Sequence, residues 1–384
     1  VTNQATAEQI REGVIAAITS EPVANERWRE MSHDELRAQG YVIGFGNQTE
    51  GEYRGDPCQH LSLSQSLAKE FVRECPDDAW RQHPKGGNER KKPSKAMEDS
   101  SFVDTALTDD DSDVDEGLKS LLATDVNVIA EDQPKVWRRV RSKATKNKSE
   151  EIEEIPYNDW QKFRVIDAPD FRNATAKECR DDARKHGLTP MLLKHFVKAA
   201  EEAKTMRVRL ELAGIDMRKG KRQVPIFWVE FADDGTPVQC RGLLDQLEET
   251  NDRYAYTIRD LKAVKSLNRK TFARTVYECG WHIQHAAYTS GVEKITGEYG
   301  RVNFEWAAVR KGDLPAAARR DADGMLKECG RIEWRIAVNG WARCIKAGIF
   351  PGYELAGVEH VYAEPWMMAR TEELLAAANL ENGE

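Results

Sequence analysis

Nowhere does the chain approach the roughly 18 consecutive apolar residues that a membrane-spanning helix requires. Residues 1–20 lack a basic start, an apolar run and a small-residue cleavage site, so a cytoplasmic protein without membrane association is expected. Cysteine pairing is missing too: the seven cysteines, at 58, 75, 179, 240, 279, 329 and 344, include no Cys-X-X-Cys. An odd, scattered set argues against a disulfide framework and for reduced, mostly structural thiols. No repeat of fixed period is visible. Nor is there an excess of positive charge, since 57 Lys and Arg stand against 65 Asp and Glu, a net of -8. That argues against a protein that coats nucleic acid, because phosphate binding rests on cations and counterion release. It leaves room for an enzyme with carboxylates at its centre and a local basic groove.

The 384 residues suit one large domain or two small ones, and 40% hydrophobic with 32% charged residues is a globular balance with a polar lean. Residues 5–19 place Ile10, Val14 and Ile18 four apart, the spacing of a short amphipathic helix that forms an added arm. After a Gly-rich stretch, Ser62 is a hydroxyl N-cap candidate for a helix carrying Leu67, Phe71 and Val72, which the Cys-Pro-Asp-Asp at 75–78 ends. Residues 84–97 read as an exposed loop leading into an acidic segment at 98–116. That segment lacks the Gly and terminal Glu spacing of a calcium-binding EF-hand, which leaves a solvated loop. The most basic stretch, 135–148, reads as a solvated face, with a phosphate contact as the alternative.

Helical periodicity is expected over 158–206, with Gly187 as a C-cap. Strand signals follow at 224–231, 238–248 and 254–264, joined by turns at 233–235 and 250–253, an antiparallel meander. Helices are expected at 269–289, at 314–347 with a break near Gly330, and at about 364–379.

Chemistry concentrates in the meander. Asp260 and Lys262 share one strand face, because side chains alternate with period two. Pairing across the 250–253 turn sets Asp245 roughly opposite Asp260, and two facing carboxylates repel unless a cation lies between them. Hard oxygen ligands suit Mg²⁺, or Mn²⁺ in its place. Glu230 on the preceding strand is expected to add a third carboxylate, and Lys262 to orient or activate a water, so phosphodiester hydrolysis is the fitting reaction. On the following helix Gln284 and Tyr288 share a face and are candidates to hold a phosphate or base edge. Arg241 is a candidate phosphate contact that shares the face of Asp245 unless the strand bulges. Of His282 and His285, one is expected to pack and the other to face solvent. Trp80 and Trp281 are the tryptophans expected near substrate.

In order the chain reads VEF, RGLLD, IRDLK and GWHIQHAAY. That succession resembles the RecB-like and RecE-like branch of the PD-(D/E)XK nuclease superfamily, over about residues 60–370. The segment at 61–84 is similar to the family's early S-x-S…(C/S)P element, and the late GIFPGY…AEPW stretch to the end of RecE-like phage exonuclease domains. The resemblance implies an α/β (α+β) fold with a restriction-endonuclease-like core, a central mixed sheet with an antiparallel meander flanked by helices. It implies residues 1–55 as an arm and 56–384 as the nuclease domain, with an acidic and basic insertion around 84–150. Asp245, Asp260 and the Leu261 backbone carbonyl then bind Mg²⁺, Lys262 serves catalysis, and Gln284 and Tyr288 form the QxxxY element. Asp104 stands where relatives carry a metal-binding histidine. The cysteines some relatives use for an iron–sulfur cluster are not evident, so no cluster is expected. By the same resemblance the protein is a processive 5′-to-3′ exonuclease on linear duplex DNA, a trimeric or tetrameric ring working with a RecT-type annealing partner. An endonuclease, a single-strand or defence nuclease, and a catalytically inactive DNA-binding module are the alternatives.

Overall fold

The computed structural model describes residues 31–86, 140–141, 163–172, 174–185, 189–250, 252–310 and 314–355, together with helical positions 367, 368, 370 and 371. The arm helix at 5–19, the acidic segment, Asp104, Gly187 and all but two residues of the basic stretch lie outside these. In chain order the helices are α1 His33–Ala38, α2 Glu50–Arg54, α3 Gln65–Arg73, α4 Pro76–Gln82, α5 Ala174–Lys185, α6 Leu193–Leu212, α7 Arg269–Cys279, α8 Trp281–Thr296 and α9 Gly324–Ala347. The strands are β1 Gly44–Phe45, β2 Leu63–Ser64, β3 Val140–Arg141, β4 Phe163–Asp167, β5 Thr189–Leu192, β6 Lys221–Phe231, β7 Pro237–Glu249, β8 Tyr256–Val264, β9 Val302–Arg310 and β10 Ala316–Arg320.

A central mixed sheet of seven strands runs β1-β6-β7-β8-β9-β10, with β2 paired to β7, and helices flank it. The β6–β7–β8 meander is antiparallel, whereas β8 pairs β9 in parallel across the α7–α8 connection. A second, parallel sheet, β3-β4-β5, carries α5 and α6 beside it.

Burial explains why these segments pair. Residues 224–231 of β6 are buried without a break, as a central strand covered on both faces must be. On one face Val224, Ile226 and Trp228 join the main core with Ile283, Ala287 and Val292 of α8. On the other, Phe227 meets Tyr53 and Cys58, while Val229 and Phe231 meet Leu36. The buried Gln239 amide pins the same N-terminal segment, donating to the Val42 carbonyl at 3.0 Å and accepting from Val42 N–H at 2.8 Å. Residues on both sides of position 55 therefore pack against the same strand, β6.

Several local expectations are corrected. Ser64, not Ser62, caps α3, its hydroxyl accepting from Leu67 N–H, because Leu63 and Ser64 are taken up as β2. That helix ends at Arg73, just ahead of Cys75–Asp78 as expected, and Pro76 then opens the next helix at N1, where its missing N–H would have had no intrahelical partner. Within 158–206, Phe163–Asp167 and Thr189–Leu192 are strands, since sheet pairing outweighs a polar helical composition. The expected helix at 269–289 is two, parted at Gly280 in the left-handed region at φ 70°. Residues 302–310 and 316–320 form a hairpin, and the helix expected from 314 starts only at Asp323, whose side chain caps Leu326 N–H.

Gly330 does not break α9. A Cβ there would stand 2.1 Å from the His282 carbonyl oxygen, so the missing side chain lets α9 lie directly on α8. Gly330→Val should lower the urea midpoint by an amount worth about 1–3 kcal/mol, the usual cost of overpacking. Gly324→Ala, with nothing within 4 Å of the added carbon, should leave the midpoint nearly unchanged.

Candidate active site

One edge of β7 is covered by β6 along its length. The other is shared: β2 pairs with Cys240 and Arg241, and β8 pairs from Gln246 to Glu249. Residues 242–245 between them face no strand among the described residues, which leaves a notch in the sheet. The register of β7 against β8 is the expected one, Gln246 opposite Arg259, and it would bring Asp245 against Asp260 at the next step. Backbone pairing stops there. Instead the Asp245 carboxylate accepts the Leu261 N–H at 2.8 Å, so a side chain replaces the next rung.

A slip in side-chain alternation accompanies the parting. Val238, Cys240 and Leu244 enter the main core, and so does Leu247, three positions on from Leu244. Opposite, Gln223 takes a left-handed backbone at φ 49°, and the 223–245 rung is missing from an otherwise continuous β6–β7 ladder. This is the bulge-like irregularity that separates Arg241 from Asp245.

Asp260 is 2% exposed. Its Oδ1 accepts from Gln284 Nε2 at 2.8 Å. Its Oδ2 stands 2.5 Å from Lys262 Nζ as an ion pair, yet accepts no well-aligned hydrogen bond among the described residues. The Lys262 ammonium in turn lies over the Trp281 ring, 5.1 Å from its centroid. Trp281, Gln284 and Tyr288 recur at helical spacing on α8, so one helix face serves both residues of β8. Tyr288 is buried against β7, where a Cβ on Gly242 would come within 2.7 Å of its ring; only glycine permits that approach. Burial, then the nearby Tyr53 and Asp260, push the Tyr288 phenol well above its usual range, so it stays a donor.

The structure thus brings together Asp245, Asp260, Lys262, Gln284, Tyr288 and Trp281. Glu230 is not among them. Seven residues of β6 separate it from Gln223, the position opposite Asp245, or roughly 23 Å at strand rise. Its carboxylate accepts from Ser290 Oγ at 2.6 Å, Trp228 Nε1 at 3.0 Å and Trp334 Nε1 at 3.2 Å, and pairs with Lys294 at 3.5 Å. It braces helix against sheet.

Arg241 is also displaced from the expected role. It is 4% exposed and donates to Ser62 Oγ at 2.7 Å and the Tyr53 carbonyl at 2.6 Å, leaving it no open path to a substrate phosphate. It belongs to a buried node around Asp56, which takes the Ser62 hydroxyl at 2.8 Å, His83 Nε2 at 3.2 Å, Lys85 Nζ at 3.5 Å and Arg241 Nε at 3.7 Å. Burial opposes ionisation of Asp56, but His83, Arg241, Ser62 and Lys85 outweigh it and hold the carboxyl well below the usual range.

Both histidines are buried, against the expectation that one faces solvent: His282 stacks on Tyr277 and pairs with Glu333, while His285 packs on Phe304 and Trp306. Burial lowers the His285 pKa to about 4, so it is neutral near pH 7. Trp80 stacks between Phe350 and His83.

The oxygens that would hold a small divalent cation are those of the two carboxylates, of which Asp260 Oδ2 meets only the Lys262 ammonium, and the Leu261 carbonyl. The carbonyl lies on the β7 side because a strand residue turns its N–H and C=O to the same edge. Among the described residues no group of three His, Cys, Asp or Glu side chains converges on a metal position. Mg²⁺ does not demand one, since it retains several waters and uses one or two carboxylates.

Compared with known proteins, the chain matches no family model and no curated protein. A solved structure from Eubacterium rectale, named as a proposed exonuclease, overlaps 84% of this chain and 96% of its own at 15% identity, with a TM-score of 0.47. A likeness that loose carries no argument by itself. Among the described residues no helix is long and apolar enough to cross a membrane.

Asp56→Asn should destabilise the protein by about 3–5 kcal/mol at pH 7, the usual result of removing one partner from a buried charge cluster. Because the folded carboxyl ionises below its unfolded value of about 3.9, its contribution is present above that pH and lost as pH falls through the folded value. The gap between wild type and variant in urea denaturation should therefore hold from pH 7 to about 5 and close at lower pH.

Proposed function

We propose that the protein is a metal-dependent nuclease that hydrolyses DNA phosphodiesters in the notch between β7 and β8. The observation that carries the proposal is the convergence of Asp245, Asp260 and Lys262 where the ladder ends, with Gln284 and Tyr288 on the helix above them. A surface ion pair would account for Asp260 and Lys262 alone. It does not account for a nearly inaccessible aspartate, a second aspartate anchored on the neighbouring amide, and a lysine held over an indole.

Mg²⁺ or Mn²⁺, held by Asp245, Asp260 and the Leu261 carbonyl with Asp104 as a further candidate, would lower the pKa of a water and offset charge on the phosphoryl oxygens. The chain's own groups do the rest. Gln284 fixes the orientation of Asp260 by donating to Oδ1. Lys262, whose ammonium stands beside Asp260 Oδ2, would stabilise the charge that builds on the phosphoryl group in the transition state. Tyr288, kept protonated, hydrogen-bonds with Gln284 on the same helix face, and the Trp281 ring limits where the lysine moves.

The sequence order from Glu230 to Tyr288 supports a finer reading: a PD-(D/E)XK exonuclease on linear duplex DNA, 5′-to-3′, acting as a ring of three or four copies with a single-strand annealing partner.

Lys262→Ala and Asp260→Asn should each slow cleavage of a labelled linear duplex by at least about 10²- to 10³-fold, the effect of removing one preorganised charge. Their urea midpoints should show that the fold survives. EDTA should abolish wild-type cleavage and Mg²⁺ restore it. Unaltered rates in both variants would overturn the assignment. With 5′- and 3′-labelled duplexes and a closed circle, an exonuclease leaves the circle intact and an endonuclease opens it.

A further inference from the structure

The residues that continue from Lys262 are unusual for this chain. Residues 261–277 contain Lys262, Lys265, Arg269, Lys270 and Arg274 and not one Asp or Glu, within a protein of net charge -8. Lys265, Arg269 and Lys270 are exposed, and among the described residues none of the three has an ion-pair partner. Arg274, on the same stretch, is instead neutralised by Glu278 at 2.6 Å.

The backbone that carries the trio is fixed before anything binds. Asn268 caps α7 by accepting from Lys270 N–H at 3.0 Å and Thr271 N–H at 3.4 Å, and its own N–H donates to Ser266 Oγ at 3.2 Å. Arg320 Nη2 holds the Leu267 carbonyl at 2.9 Å. The first turn of α7 adds the positive end of its helix dipole to the same place. From Lys262 to Lys265 is at most about 10 Å at strand rise.

From these observations we infer that Lys265, Arg269 and Lys270 form a phosphate track that grips the nucleic-acid backbone close to the bond being cut. The inference rests on the nuclease reading and names where its substrate lies. The track takes the place that the buried Arg241 cannot fill. Because it meets phosphates and not base edges, it binds without sequence preference.

The test is the salt dependence of binding, measured by fluorescence anisotropy with a labelled duplex and a labelled single strand of the same sequence, in Ca²⁺ so that cleavage does not intervene. In Lys265→Ala/Arg269→Ala/Lys270→Ala the slope of log affinity against log salt should shrink by about 2.7 for duplex and about 2.1 for single strand. From 50 to 200 mM salt the wild type should then lose about 40-fold more duplex affinity than the variant. A control, Lys177→Ala/Lys185→Ala/Lys198→Ala, removes three exposed cations from α5 and α6 and should leave the slope as it is. An unchanged slope in the track variant, while Lys262→Ala still abolishes cleavage, overturns the track and spares the nuclease reading. Cleavage indifferent to Lys262→Ala overturns the nuclease reading, and with it the track's place beside a scissile bond. A larger shrinkage on single strand than on duplex identifies the strand that the track holds as unpaired.

Discussion

The arrangement depends on one exchange: where the next rung between β7 and β8 should form, the Asp245 carboxylate takes the Leu261 N–H instead. A backbone amide in a half-closed sheet must be satisfied, and a charged acceptor does so more strongly than a carbonyl. With that rung replaced, the strands part while β8 stays bonded to β9 on its other edge. The notch, the placement of two carboxylates at its end and the outward turn of the Leu261 carbonyl all follow.

Keeping the notch open is the task of parts remote from the chemistry. β2 occupies the far end of the same β7 edge, and the buried Asp56 node fixes it through Ser62 and Arg241. α8 reaches the floor because Gly242 carries no side chain, and α9 presses α8 down because Gly330 carries none. The stability cost of losing Asp56 or gaining a side chain at Gly330 is thus linked to how well the site is held. Glu230, although a buried carboxylate, belongs to this supporting set through its indole and hydroxyl partners.

Much of the centre was legible because period-two alternation and a short turn are local properties. They gave the β7–β8 register, and with it the facing of Asp245 and Asp260, and helical spacing placed Gln284 with Tyr288. What was misplaced depends on distant parts of the chain. Glu230 lies on the correct strand but at the wrong end, since strand membership says nothing of position along the notch. Arg241 parts from Asp245 through the bulge that alternation alone cannot place, and its burial depends on Ser62 and Tyr53, far off in sequence. The adjacent Leu243 and Leu244 followed by Leu247 are the sign in the sequence that alternation slips. β10 is rich in alanine and β2 has two residues, so their strand character comes from neighbours, whereas β9 alternates Val302, Phe304 and Trp306 and carries a strand signal of its own. The role of Trp281 against Lys262 required the fold.

The central claim is that Asp245 and Asp260 act as one cation-binding centre. Titration of Mn²⁺ followed by electron paramagnetic resonance, in the wild type and in Asp245→Asn and Asp260→Asn, tests it without relying on turnover. The account predicts a bound ion in the wild type and its loss in each variant separately, with folding intact by circular dichroism. Equal Mn²⁺ uptake by all three proteins would contradict it.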